Sequence, residues 1–421
     1  MSFSDWYERH YRFILVAGSV VILVVGTGAI YLLVTGLKVI AVEFGWPRSV
    51  PSTAYAANYI GGALGGVAMG FWLDRSGIGG PAMLGAVMIG LGALLSSQIN
   101  EAWQLYLIYA VMMGFCGTAT LYGPMIANTA RWFDRGRGLA LGIVAAGQST
   151  AGVIWPPVFR WMIEDRGWRE TFLIYGTFAL LVMLPVSWII RRKAPDPAPA
   201  ADATQAARGQ AARGQTRLAP AAGAHPGLSP AALQITLCIA IVGCCISMSM
   251  PIAHTVATVT DLGYSFADGA QVLSVILIAA TASRAVLIGL LSSQFGGLGA
   301  LGIFSLVQAI GIFSLSLFHT LPALYVVGIV FGIGYGGLMP CYSLTLREYL
   351  PASELGRRTG LLVLFGSFGM ATGGWLAGAI FDLTGTYDHA YLAGTLANIG
   401  NLAIIGTLIL SRRRGHLRPV F

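Results

Sequence analysis

The chain has 421 residues, of which 56% are hydrophobic and only 10% charged, against about 25% charged in an ordinary soluble domain. That balance excludes a water-soluble enzyme and points to a chain that lies mostly in lipid. The formal charge of +8 sits on residues at loops and ends, a distribution that orients a membrane protein and does not build a nucleic-acid-binding face.

Met1 to Arg12 is polar and of mixed charge, and an apolar stretch follows from Phe13 to about Val42. It is longer than the apolar region of a signal peptide and has no small-x-small cleavage pattern, so it reads as a retained first helix. A membrane span needs about 20 mostly apolar residues. Such runs fall at 13–40, 50–72, 81–99, 103–130, 138–161 and 171–190, then at 233–259, 269–292, 297–318, 322–346, 357–381 and 389–411. The expected architecture is all-α and membrane-embedded, with twelve transmembrane helices. Residues 1–190 form one six-helix bundle, 191–230 a linker and 231–421 the second bundle. The linker is rich in Ala, Pro, Gly and Arg and repeats Ala-Ala-Arg-Gly-Gln at 206–210 and 211–215. It cannot bury apolar surface and reads as a flexible connection.

Basic residues give the orientation. Of 25 Lys and Arg, 19 fall on the side of the termini and the linker, and five, Lys38, Arg48, Arg160, Arg166 and Arg169, fall on the other. The positive-inside rule then puts both termini in the cytoplasm. The five cysteines lie in apolar runs, with no CxxC pair and no His/Cys cluster, so neither a disulfide framework nor a metal site is expected. The glycine run from Gly61 to Gly70 reads as a close-packing face. No GKS/T follows it, which argues against nucleotide binding. No cofactor is expected, and lipid and a small solute are the expected partners of a monomer.

The remaining basic residue, Arg284, lies well inside the eighth span. An arginine at the bilayer centre costs about 2.5–3.5 kcal/mol on insertion scales, so it is expected to face the protein interior or a water-filled cavity. It keeps its proton, and its planar fork suits a carboxylate. The reading is an anion site, with a structural pair to Asp261 or snorkelling to an interface as the plainer alternatives. On the seventh span, His254, Thr258 and Asp261 share one face. His254 and Asp261 are candidates for proton coupling. His254 could equally hydrogen-bond a neighbouring helix, and Asp261 could end its helix at the outer surface.

Tyr31 and Leu32 on the first span fall at a comparable depth. So do Tyr122 on the fourth, Gln148 and Ser149 on the fifth, and Phe331 and Tyr335 on the tenth. With Asn58 on the second, they are the candidate walls of a site for a solute with one carboxylate and a short apolar end. Gly332, Gly334, Gly336 and Gly337 surround Tyr335 and are expected to loosen the tenth helix.

Gly70-Phe-Trp-Leu-Asp74-Arg75-Ser-Gly77 resembles the GxxxDRxG loop of the major facilitator superfamily, whose Asp caps a helix or pairs with an arginine. The matching Gly289 to Gly296 loop lacks the acidic and basic pair. A narrower resemblance begins with the stretch from Arg131-Trp-Phe-Asp-Arg135-Gly-Arg137 to Gly152. With it go Gly167-Trp168-Arg169, the seventh-span His and Asp-x-Gly, and the lone Arg284. Together these look like the monocarboxylate transporter family and related bacterial oxalate/formate exchangers. The resemblance implies the major facilitator fold of two pseudo-symmetric six-helix halves and alternating access around a central site. It also implies proton-linked movement of lactate- or pyruvate-like anions across a bacterial inner membrane, with Arg284 holding the carboxylate. Animal members carry an aspartate one turn before that arginine, where this chain has Ala280, so coupling would fall to His254 or Asp261. The rival readings are an oxalate/formate-type exchanger, which would need a second cation, a solute sensor without transport, and a membrane enzyme. No nucleophile motif, metal-ligand cluster or intramembrane carboxylate pair favours the enzyme.

Overall fold

A computed structural model describes residues 3–133, 137–193, 229–350 and 354–413. Among these the chain is helical throughout, joined by short turns. The first six helices are α1 (Phe3–Phe44), α2 (Ser49–Ser76), α3 (Gly79–Ser96), α4 (Ala102–Trp132), α5 (137–166) and α6 (168–189). The second six are α7 (Pro230–Asp261), α8 (266–295), α9 (297–315), α10 (Leu321–Tyr349), α11 (Leu355–Thr384) and α12 (Asp388–Arg413). The helical run from α5 to α6 is broken at Gly167 (φ 81°) and that from α8 to α9 at Gly296 (φ 71°), which gives the twelve spans. The first span starts earlier than its hydropathy suggests, at Phe3.

Nine runs, with α5–α6 and α8–α9 each counted once, are long and apolar enough to cross a membrane by composition alone among the described residues. The span missing from that set is α2. Its wall toward the other half carries Ser52, Tyr55 and Tyr59 and ends in Asp74-Arg75. These polar residues lower its apolar signal.

The two halves repeat one set of turns. All positive-φ residues among those described are glycines: Gly45, Gly77 and Gly167 in the first half, Gly263, Gly296 and Gly385 in the second. Each trio closes the first, second and fifth helix connections of its half. A side chain with Cβ is strained at these dihedrals, so the chain carries its pseudo-symmetry as six glycines.

Packing through small residues joins the helices. A Cβ on Gly65 would lie 2.8 Å from Ala119 Cβ, and one on Gly61 3.0 Å from the Ala110 carbonyl carbon. Where backbones come this close, dispersion contacts replace the absent hydrophobic drive. The glycines of α10 do the same, contrary to the expected loosening. Gly332 would meet Ala279 Cβ at 2.9 Å, Gly334 Gln308 Cα at 2.7 Å and Gly336 Ala280 Cα at 2.9 Å. The span α10 is continuous. The irregular span is α4, which runs as a π-helix over Ile108–Phe115, breaks at Gly117 and Leu121, and resumes at Tyr122. Pressure from Gly61 and Gly65 of α2 and Gly85 of α3, whose Cα atoms abut this stretch, fits the distortion.

The described ends of α1 and α12, and the chain ends flanking residues 194–228, share one end of the bundle, called here the linker end. The other is the distal end.

Candidate functional site

The halves meet along α2 with α11 and α5 with α8. At the distal end both contacts are tight. A Cβ on Gly374 would lie 2.5 Å from the Tyr55 ring, and one on Gly378 3.0 Å from the Arg48 carbonyl oxygen. Asp261, the last residue of α7, pairs with Lys38 of α1 and with Arg48 of α2, whose Nη2 stands 3.1 Å from Oδ1. Arg48 also lies over the Phe381 ring at 5.1 Å. Toward the linker end the same helices part. Gly66 and Gly70 of α2, Gly142 of α5 and Gly356 and Gly360 of α11 have nothing within 4 Å of where a Cβ would stand. The cleft between the halves is closed distally and open at the linker end.

Arg284 sits where the cleft narrows, half-buried, about 27 Å along α8 from its distal end at 1.5 Å per residue. Its Nη1 donates to Ser149 Oγ at 2.8 Å and its Nε to the Gly336 carbonyl at 3.2 Å. The first bond crosses from one half to the other. Among the described residues no carboxylate pairs with Arg284; Asp261 takes Lys38 and Arg48 instead, so the alternative of an Arg284–Asp261 pair falls away.

Tyr31 of α1 belongs to the same place. Its hydroxyl lies where a Cβ on Gly152 would stand, beside Leu277 of α8, and it shares an electrostatic neighbourhood with Tyr59, Tyr335 and Arg284. Gln148 is exposed between Gly147, packed on α1, and Ser149, bonded to α8, which turns it toward the cleft. Tyr335 stacks on Phe331 with ring centroids 6.3 Å apart. Arg284, Ser149, Tyr31, Tyr335 and Gln148 are thus gathered.

The other candidates stand outside this group, although Phe331 stacks on Tyr335. Leu32 is fully buried in the apolar core, and Phe331 is fully buried with its backbone against Gly311 of α9; both pack helices. Asn58 is buried where α2 meets α4, its carbonyl beside Gly114 and its amide nitrogen without a partner. Tyr122 follows the break in α4 and is 44% exposed.

His254 and Asp261 are at the distal gate, not beside Arg284. His254 lies about 10 Å from the end of α7, fully buried. Its Nε2 is 2.8 Å from the Gly374 carbonyl, which as an acceptor fixes the proton there, so Nδ1 accepts from the Tyr387 hydroxyl at 3.1 Å. Ser52 Oγ stands 3.5 Å from Nε2. The ring ties α7 to α11, to the start of α12 and, more loosely, to α2.

The loop motifs have physical roles. Asp74 pairs with Arg131 at the linker end of α2 and α4, while Gly77 makes the left-handed turn (φ 80°). Arg75 is exposed and Gly70 meets nothing. Arg137 opens α5, its side chain outside the described residues, as is all of Arg135. In the second half the lost pair is replaced from other helices. Glu348 accepts from Gly297 N–H, and Arg412 Nη1 donates to the Phe295 carbonyl at 3.3 Å. At the distal end Gly167 makes the turn, Trp168 donates to Glu43, and Arg169 binds Glu43 and the Ser97 and Ile99 carbonyls.

The sequence reading missed Tyr59, Tyr55, Asp382 and the gate roles of Lys38 and Arg48. Tyr55 and Tyr59, with ring centroids 4.9 Å apart, continue a helical stripe from Ser52, a spacing that could have marked them.

Two consecutive six-helix sets, with a cation held between them, invite comparison with known carriers. The model of the major facilitator superfamily matches residues 18–297 and 235–420. The chain belongs to the major facilitator superfamily. It is 26% identical over 352 residues to the Aspergillus niger MFS-type transporter pynF, covering 83% of this chain and 76% of that one. It is likewise 26% identical over 327 residues to rat monocarboxylate transporter 13, covering 77% and 72%. Among solved structures, a bacterial homologue of the lysosomal transporter Spinster, inward-facing and unoccupied, matches with TM-score 0.70 at 15% identity over 94% of this chain and 95% of that one. The nucleoside transporter NupG matches with TM-score 0.69 at 11% identity over 94% and 99%.

Proposed function

We propose that the chain is a secondary transporter of small monocarboxylates such as lactate or pyruvate, proton-coupled and working by alternating access. The observation that carries this reading is Arg284. It is a permanent cation at the neck of the cleft, bonded across the halves to Ser149, with no carboxylate counter-ion among the described residues. A guanidinium with free N–H groups takes a carboxylate with charge-assisted bonds, and Tyr31, Tyr59, Tyr335 and Gln148 supply hydroxyl and amide partners for the rest of the solute. Lys38 and Arg48 are engaged by Asp261. That leaves Arg284 as the cation at the neck without a carboxylate among the described residues and favours a monoanion over oxalate. Relatives that bear the name monocarboxylate transporter support the same branch.

Coupling in this reading acts at the gate. A proton on Asp261 removes the charge that holds Lys38 and Arg48, so the distal end opens; His254 braces the same region. The bundles are 1–190 and 231–421 joined by a cytoplasmic linker, the distal end faces outward from a bacterial inner membrane, and the monomer is the working unit.

The test is uptake of radiolabelled lactate into proteoliposomes with and without an inward proton gradient. The gradient is expected to accelerate uptake. Arg284→Ala is expected to lower it about 10- to 150-fold, the span of about 1.5–3 kcal/mol for a hydrogen bond to a charged group. Undiminished lactate uptake by Arg284→Ala refutes the site; indifference to the gradient refutes the coupling.

A further inference from the structure

The pattern G-x-x-x-D-x-x-G occurs at both ends of the α2–α11 contact, as Gly70-Phe-Trp-Leu-Asp74-Arg-Ser-Gly77 closing α2 and as Gly378-Ala-Ile-Phe-Asp382-Leu-Thr-Gly385 closing α11. Both copies end in a left-handed glycine, at φ 80° and 72°. The second copy is engaged. The bare Cα of Gly378 lets α2 approach until its Cβ would stand 3.0 Å from both the Arg48 carbonyl oxygen and Ser52 Cβ. One turn on, the Asp382 carboxylate accepts from two backbone amides of the other half, Arg48 N–H at 2.6 Å and Ser49 N–H at 2.8 Å.

The first amides of a helix have no partner within it, and a carboxylate there satisfies them and meets the positive end of the dipole. The N-terminus of α2 has no side-chain cap of its own, so its cap arrives in trans from α11. Both amides must leave the carboxylate when the distal ends of the halves move apart.

We propose that Gly378 and Asp382 form a conformational latch. By capping α2 across the halves, Asp382 holds the distal gate shut and sets the equilibrium between the two cleft openings. It is a positioning residue that touches no solute. It binds backbone, so it acts apart from the Lys38–Asp261–Arg48 cluster, and Arg48→Ala leaves it intact. The proposal needs only the superfamily's rocking motion, not the monocarboxylate reading, and its test uses no substrate.

Full-length protein in lipid nanodiscs, with its five cysteines replaced, would carry spin labels at Gln98→Cys and Leu317→Cys, exposed distal positions in opposite halves. Double electron–electron resonance reads their separation. Asp382→Ala is expected to shift the equilibrium toward the longer distance about two- to thirtyfold, the range of a lost helix cap, and Asp382→Asn by less. Asp388→Ala, whose carboxylate meets only His319 at the distal rim among the described residues, should leave the distribution unchanged. A folded Asp382→Ala protein with the parent distribution overturns the proposal. Should that variant fail to fold, amide exchange on the unsubstituted protein decides. Slow exchange at Arg48 and Ser49 supports the latch, and exchange as fast as in an open loop overturns it.

Discussion

Replacing Gly336 by alanine separates two accounts of α10. If its glycines served flexibility, one methyl would matter little to stability. The structure instead puts that methyl 2.9 Å from Ala280 Cα and 2.8 Å from its carbonyl carbon, backbone atoms that no rotamer change can withdraw. The α8–α10 contact must open by several tenths of an ångström, which costs about 1–3 kcal/mol as overpacking. The displaced Gly336 carbonyl also loosens its bond to Arg284 Nε, worth about 1.5–3 kcal/mol for a charged donor. A total of about 2.5–6 kcal/mol is expected, visible as a clear loss of thermal stability in detergent and a fall in transport. Gly142→Ala and Gly289→Ala, which meet open space, should melt like the parent. If Gly336→Ala melts with them and transports normally, the close-packing account of α10 is wrong.

Arg169→Lys should not restore what Arg169→Ala loses, because one ammonium cannot reproduce the fork that spans Glu43 and the Ser97 and Ile99 carbonyls; melting of the two variants compares them. Lys38→Ala and Asp261→Asn should be non-additive in a double-mutant cycle of gate opening, with a coupling of about 0.5–1 kcal/mol for a partly exposed pair. Full additivity in label distances would show the pair to be idle. Tyr59→Phe and Tyr335→Phe should raise the half-saturating lactate concentration up to about tenfold, the worth of a neutral hydrogen bond, without lowering thermal stability. An unchanged value for both would remove them from the solute's surroundings.

The sequence made the twelve spans and the odd arginine readable because both are local. Twenty apolar residues in a row, or one charge among them, mean the same thing in any context. Gly167 and Gly296 were also available as turn signals inside long apolar runs. What stayed hidden depends on which helix lies alongside. The glycines around Tyr335 look slack in one dimension and prove to be contact points, because Ala280 and Gln308 arrive from α8 and α9. The break in α4 is pressed on it by glycines of α2 and α3. Asp261 looked like a mate for Arg284, yet Lys38 and Arg48, more than 200 residues away in sequence, reach it first. Asp382 was within reach through the repeated spacing that links it to Asp74, as Tyr55 and Tyr59 were through their stripe with Ser52.

The solitary guanidinium of Arg284 has an electrical consequence. On the proposed reading, a bound monoanion neutralises the neck, and its release leaves one positive charge in the low-dielectric middle of the membrane. For an anion that crosses alone, voltage then acts on the return of the empty form more than on the loaded one, by at most about 2.3 kcal/mol per 100 mV for a charge crossing the whole field. A proton carried on Asp261 restores the charge, and the two forms then feel the field alike. The response of transport to membrane potential thus tells an anion that crosses alone from one that crosses with a proton.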